Sequence, residues 1–230
     1  MKTITVFTPT YNRAYCLHKC YESLLKQSEK DFIWLIIDDG STDNTKELVN
    51  KWIQDNLISI KYHFKENQGM HSGHNSAYAI IDTPLNVCID SDDYMSDNAI
   101  EIILNQWQKI KNDKTYAGIV GLDANTEGEI IGDKIPDHLK QTTLYDLNNT
   151  YGIKGDKKLV LRTDIVRQYP PYPIFENEKF VPLGYLYLLI DQDYFLYPIN
   201  EILCHVEYMT DGSSLNILKA SKRFCFFKKK

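Results

Sequence analysis

The segment Asp90-Ser91-Asp92-Asp93 gathers three carboxylates directly after the apolar run Val87-Cys88-Ile89. Carboxylates this close repel one another, and such groups usually meet a cation or accept bonds from backbone donors. All-oxygen ligands favour a hard divalent ion such as Mg2+ or Mn2+. The same residues also suit a solvated acidic turn that caps the next helix, and the cluster alone does not separate the two readings. A second acidic pair, Asp38-Asp39, ends another apolar run and precedes Gly40-Ser41. Between them lies Asn67-Gln68-Gly69-Met70-His71-Ser72-Gly73-His74-Asn75, whose glycines permit close backbone approach. His71 and His74 invite a metal reading with the aspartates, but their spacing is not that of a zinc site. They stand as candidate ligand-binding residues.

These groups need elements to position them. Residues 85–89 read as a buried strand by length, β-branching and the Pro84 before them. Strands are also predicted over 2–8, 32–37 and 58–64, with helices over 15–27, from about 42 to 55, from the glycine turn 69–73 to 81, and over 98–110 with Ser96 or Asp97 as cap. The alternation implies right-handed βαβ units and a mostly parallel, Rossmann-like central sheet flanked by helices. Open sheets of this kind form ligand crevices at the carboxyl ends of their strands, so Asp39 and Asp90 to Asp93 face one crevice. The second half is less regular. Strands are predicted over 116–122, 158–161, 194–197 and 201–206, a helix over 184–190, a polar loop over 123–143 and a stiff turn over 169–173. No repeat or flexible linker interrupts the chain, which reads as one domain of two lobes, 1–112 and 113–230.

At 230 residues, 43% hydrophobic and 25% charged, the chain has the composition of an ordinary globular protein. Its net charge of -5 argues against a nucleic-acid partner. Five cysteines at irregular spacings do not suggest a disulfide framework and read as reduced thiols. There is no signal peptide pattern and no apolar run approaching the ~20 residues that span a bilayer, so a cytoplasmic protein fits. Phe224-Cys225-Phe226-Phe227-Lys228-Lys229-Lys230 puts aromatics beside a basic tip. That pattern suits peripheral contact with the inner membrane surface, or a terminus whose aromatics pack on the domain.

Three segments, Thr8-Pro9-Thr10-Tyr11-Asn12-Arg13, Ile36-Ile37-Asp38-Asp39-Gly40-Ser41-Thr42-Asp43 and Asp90-Ser91-Asp92-Asp93, together resemble the inverting, nucleotide-sugar-dependent glycosyltransferase family with the GT-A fold. The likeness runs to about Leu104 and is looser beyond. Lys154-Gly155-Asp156-Lys157 and residues 175–182 also resemble a bacterial subgroup. The resemblance implies an α/β fold of GT-A type, with a nucleotide-sugar lobe over 1–112 and a smaller mixed acceptor lobe, with its tail, over 113–230. It implies metal-dependent, inverting transfer from a UDP-sugar to a glycan or lipid-linked acceptor in bacterial surface polysaccharide synthesis. By similarity, Asp92 and Asp93 would hold Mn2+ or Mg2+, and Asp90 with Ser91 would approach the ribose. Asp39 would accept a hydrogen bond from the base imide, favouring uracil. Thr8, Pro9, Thr10 and Tyr11 would frame the base, and Arg13 would reach the nucleotide or simply begin the helix. Gly69, His74 and Asn75 would lie beneath the diphosphate and ribose.

The pattern breaks at the catalytic base. Inverting transfer needs a group to take the acceptor hydroxyl's proton. The family supplies it from a Glu-Asp pair after a Phe-rich stretch, where this chain has Leu183 and Gly184. Glu178 or Glu176 could serve instead, as could Asp191 or Asp193, with Glu178 and Asp191 the leading candidates. Asp156 is another, although its neighbouring lysine fits a structural ion pair equally well. The alternative is a non-catalytic nucleotide-sugar-binding module that has lost its base.

Overall fold

The computed structural model describes residues 2–176 and 178–209, so the aromatic and basic tip lies outside the described residues. Strand β1 (Ile4–Thr10), helix α1 (His18–Lys26), β2 (Phe32–Asp38), α2 (Thr45–Asp55), β3 (Ile60–Phe64), α3 (Met70–Ile80) and β4 (Leu85–Cys88) alternate as predicted. Their strands pair in parallel in the order β3-β2-β1-β4. The acidic turn then leads into β5 (Tyr94–Met95) and α4 (Ala99–Ile110), followed by β6 (Tyr116–Ala124), α5 (Leu144–Asn149), β7 (Lys157–Arg162), α6 (Thr163–Val166), α7 (Gly184–Ile190) and β8 (Phe195–His205). Strand β7 lies antiparallel between β4 and β6, β8 runs parallel to β6, and β5 closes the edge antiparallel to β8. The mostly parallel expectation therefore holds for the first half, while the whole is one mixed eight-stranded sheet that continues through both halves of the chain.

Both faces of the sheet are buried, which is why its inner strands read as continuous apolar runs. In β2, Phe32, Trp34 and Ile36 join the core beneath α1, α2 and α4, while Leu35 and Ile37 join the one beneath α3 and α7. The Tyr21 and Trp52 rings stack at 4.3 Å between centroids beside Trp34.

Several local expectations are corrected. Helix α3 begins at Met70, so Gly73 is helical rather than part of a turn, and a side chain there would meet Pro9 Cβ at 3.2 Å. The helix needs that bare position to lie against the end of β1. The two strands expected over 194–206 are the single strand β8, which passes through Pro198 because its register against β6 shifts just beyond. Helix α4 is capped by neither Ser96 nor Asp97. Its N-cap is Asn98, without a side-chain bond, and the Ile100 N–H donates to Gln27 Oε1 at 3.0 Å. Helices α5 and α6 and strand β5 are too short to show a periodic apolar pattern, although α5 begins at a capping residue, Thr143, whose Oγ1 accepts the Asp146 N–H at 2.9 Å.

The core also claims three residues expected at the ligand. Thr8 is fully buried, and its Oγ1 accepts the Trp34 indole N–H at 3.0 Å. Asn75 is spent on a backbone clasp, donating from Nδ2 to the Tyr172 carbonyl at 2.8 Å while its Oδ1 accepts the Tyr172 N–H at 2.9 Å. His74 is fully buried, edge-on to Phe7 with ring centroids 5.0 Å apart, and Nδ1 lies 3.3 Å from the Tyr78 hydroxyl. Burial lowers its pKa from 6.5 to about 3, so the imidazole is neutral. In the unfolded chain the ring binds a proton near 6.5, whereas in the folded chain it does so only near 3. Its contribution is complete above the first value and drains as pH falls toward the second. Denaturant titrations between pH 7 and 4.5 should therefore show wild-type stability falling with acidification by up to ~1.4 kcal/mol per pH unit more than that of a His74→Gln variant. Parallel slopes would mean the ring titrates normally in the fold.

Candidate functional site

The acidic turn is held from below by α1 and the residues that lead into it. Cys20 Sγ donates to the carbonyls of Asp90 and Asp93 at 3.2 and 2.9 Å, and Cys16 Sγ to that of Ser91 at 3.5 Å. Burial pushes both thiols above their usual range, so they remain protonated donors. The Asp93 N–H closes the turn on the Asp90 carbonyl at 3.1 Å, and the Met95 N–H donates to Ser23 Oγ at 3.2 Å. With its backbone fixed this way, the turn splits its carboxylates between two cavities.

The first cavity, of about 340 Å3, joins all three motif segments. Pro9, Thr10, Tyr11 and Arg13 come from the end of β1, Asp39 from the end of β2, and Asp90, Ser91 and Asp92 from the turn. Gly69 and Met70, at the start of α3, form part of the wall with Asn67 and Lys179. Among the described residues, the buried Thr10 hydroxyl there has no hydrogen-bond partner. Asp39 is 4% exposed and strongly held: Oδ1 accepts Lys65 Nζ at 2.6 Å and the Gln68 N–H at 3.1 Å, and Oδ2 accepts the Gly69 N–H at 2.8 Å. Its neighbour Asp38 serves the loop, accepting the Ser41 N–H at 2.7 Å and the Tyr62 hydroxyl at 2.5 Å. Asn12, at φ 53°, bridges the two loops, its Oδ1 accepting the Thr42 N–H at 2.7 Å. Arg13 lies over the Tyr15 ring, 5.7 Å from its centroid. Asn67, Met70 and Lys179 lie in segments the sequence marks, 67–75 and 175–182, but carry no individual signal there. The signal for Lys179 is its place in the segment that crosses the loop: a side chain at Gly69, φ 94°, would strike the Lys179 carbonyl at 2.1 Å.

The second cavity, of about 390 Å3, shares Asp90 with the first and is lined by Asp93, Asp123, Asp156, Lys157, Lys158, His74, Leu183, Gly184 and Tyr187 among others. Lys158 Nζ lies 3.6 Å from Asp123 Oδ1. Burial opposes the ammonium charge, but the surrounding carboxylates, Asp123 first, hold its pKa well above the usual lysine range. Asp93 is 4% exposed, and its Oδ1 accepts the Glu207 N–H at 3.1 Å. Burial pushes Asp93 up to about 8 despite the nearby Lys158.

Those positions decide which residues suit a metal. Among the described residues no three His, Cys, Asp or Glu side chains converge on one point. Asp90 and Asp92 face the first cavity, whereas Asp93 is turned into the second and bonded, which corrects its place beside Asp92 as a ligand. Two carboxylates still fit Mg2+ or Mn2+, because these ions commonly take one or two from the protein and the rest from substrate phosphates and water.

The two candidate bases are not brought to the shared aspartate. Asp191 lines a separate cavity with Tyr145 and Phe195, and its Oδ2 accepts the Tyr145 N–H at 2.8 Å, capping α5. Glu178 Oε1 accepts the Phe180 N–H at 3.1 Å, and the walls of both cavities are built without it.

Residues 5–166 match the model of glycosyl transferase family 2. The chain is 33% identical over 130 residues to the chondroitin synthase of Pasteurella multocida, covering 56% of this chain and 13% of that protein. It is 32% identical over 107 residues to glycosyltransferase GlyG of Streptococcus pneumoniae, covering 46% and 35%. The chain thus spans well under two thirds of these relatives. Among solved structures, S. aureus TarS 1-349 in complex with UDP-GlcNAc aligns with TM-score 0.67 at 21% identity over 92% of this chain and 60% of that one. Mannosyltransferase PcManGT from Pyrobaculum calidifontis, in complex with GDP-Man and Mn2+, aligns with TM-score 0.66 at 15% identity over 95% and 61%. At these identities the structures speak for the GT-A fold alone. No helix among the described residues is long and apolar enough to cross a membrane. With a family match that runs from β1 through α6, the chain belongs to glycosyl transferase family 2.

Proposed function

We propose that this chain is a metal-dependent, inverting glycosyltransferase that moves a sugar from a UDP-sugar to a glycan or lipid-linked acceptor in bacterial surface polysaccharide synthesis. The observation that carries the reading is the first cavity, where three separate strand ends and the start of α3 meet around the unpartnered Thr10 hydroxyl. In this reading residues 1–112 bind the nucleotide sugar and the later half supplies the acceptor side. Thr10 and Tyr11 frame the base, Asp39 uses its remaining acceptor capacity for the uracil imide, and Asp90 and Ser91 meet the ribose. Gly69 lets the backbone come close to the nucleotide. A divalent ion bound by Asp92 and Asp90 would supply Lewis-acid stabilisation of the charge that builds on the departing diphosphate. UDP as carrier is supported by Asp39 and by the TarS complexes with UDP and UDP-GlcNAc. The bacterial polysaccharide setting is supported by relatives such as chondroitin synthase and the teichoic acid poly(glycerol phosphate) polymerase of Staphylococcus epidermidis. A second reading, a non-catalytic donor-binding module, is favoured by one observation: Leu183 and Gly184, which cannot accept a proton, line the second cavity.

Turnover separates the two. UDP release from UDP-GlcNAc and UDP-glucose in the presence of Mn2+ should be measurable and should stop on chelation, whereas a chain that binds UDP yet releases none from either donor is the module. Two variants test the assignments. Asp39→Ala should weaken UDP binding by ~1–3 kcal/mol, the cost of a buried donor left unpaired; unchanged affinity would remove Asp39 from base recognition. Asp92→Asn should abolish the Mn2+ dependence of UDP binding with the melting profile retained, and a parental metal response would move the ligand elsewhere.

A further inference from the structure

The second cavity contains an acidic group suited to the role that Leu183 and Gly184 leave open. Building on the transferase reading above, we propose that Asp156 is the catalytic base that deprotonates the acceptor hydroxyl. Four requirements select it. The base must line the space continuous with the donor site, it must reach solvent to discharge its proton, its oxygens must not be committed to the fold, and its backbone must be rigid.

Asp156 lines the cavity that shares Asp90 with the donor cavity, and it is exposed. Its neighbour does not pair with it: Lys157 Nζ is turned back on the main chain, donating to the carbonyls of Lys154, Gly155 and Asp156 at 2.9, 3.1 and 3.3 Å. The lysine thus braces the turn and leaves the Asp156 carboxylate for the cavity. The turn is pinned on its other side too. Gly155, at φ 81°, lies so close to the 131–132 backbone that a side chain would meet the Ile131 carbonyl at 2.2 Å, and the Lys154 N–H donates to Asp133 Oδ2 at 2.9 Å.

The other carboxylates on that wall fail at least one requirement. Asp93 and Asp123 are 4% and 3% exposed, the first bonded to the Glu207 N–H and the second beside Lys158. Asp90 lies at the junction with the donor cavity, where the transferase reading assigns it to the nucleotide.

The step balances without a further reagent. An acceptor alcohol gives its proton to an Asp156 oxygen as the alcohol oxygen bonds to the anomeric carbon. The bond from that carbon to the diphosphate oxygen breaks with its electron pair leaving on the nucleoside diphosphate, and Asp156 then releases the proton to water.

The test compares the parent chain with Asp156→Asn and Asp156→Glu, using Mn2+ with UDP-GlcNAc, UDP-glucose and GDP-mannose as donors and water as the acceptor. UDP or GDP release is the rate, and calorimetric nucleotide affinity is the control. Asp156→Asn should lower release by at least ~100-fold, the scale of general-base catalysis, with nucleotide affinity within roughly twofold of the parent, and Asp156→Glu should recover part of the rate. Release by Asp156→Asn within roughly threefold of the parent would overturn the assignment while leaving the transferase reading intact. Nucleotide binding without release in the parent would also overturn it, and a parent that binds no nucleotide would remove the reading beneath it.

Discussion

Negative charge crowded at the ends of buried strands is the constraint on which the site depends. Asp38, Asp39, Asp90, Asp92, Asp93 and Asp123 all sit at or just beyond strand ends. Left bare, such a group would protonate or push the strands apart. The fold answers with donors placed one by one. Lys65 and two backbone N–H groups hold Asp39. Tyr62 and the Ser41 N–H hold Asp38. Lys158 lies 3.6 Å from Asp123 and lines one cavity with Asp90 and Asp93. The thiols of Cys16 and Cys20 hold the carbonyls of the turn rather than its carboxylates. Asp90 and Asp92 line the first cavity on a turn whose backbone is thereby fixed from behind.

The same compensation explains the shape of the first cavity. Because Asp39 gathers the Gln68 and Gly69 N–H groups, the loop before α3 folds down over the end of β2. The segment around Lys179 then closes on Gly69 so tightly that no side chain fits there. Lys179 in turn reaches Asn67 Oδ1 at 2.6 Å. A residue late in the chain thereby completes a wall begun at the ends of β1, β2 and β4, and the two cavities meet at a single carboxylate, Asp90.

Much of this was legible in the sequence where one residue type answers one physical need. Apolar runs marked strands buried on both faces, and the acidic ends of β2 and β4 marked the crevice. What escaped the reading depended on contacts distant along the chain. Nothing local says that Thr8 serves Trp34, or that Asn75 clasps Tyr172 across 97 residues. Asp93 could not be told from Asp92 because the two are adjacent, and only the path of residue 207 beside the turn separates them. Lys158 reads as one charge at the edge of an apolar strand until β7 is seen to lie between β4 and β6, which sets it among carboxylates from both. Asp191 carries its charge for a structural reason, a bond from the Tyr145 N–H 46 residues away at the start of α5, which becomes visible only once α5 is known to exist.

The central claim is that the three strand ends form a uridine nucleotide site completed by a divalent ion. Calorimetric titration of the chain with UDP, with CDP and GDP as controls and with Mn2+ present or chelated, tests it most directly. The account predicts that UDP binds, that Mn2+ tightens the binding, and that CDP, which lacks the imide proton Asp39 would accept, binds more weakly. Absence of binding by any of the three, or equal binding of UDP and CDP without response to Mn2+, would contradict it.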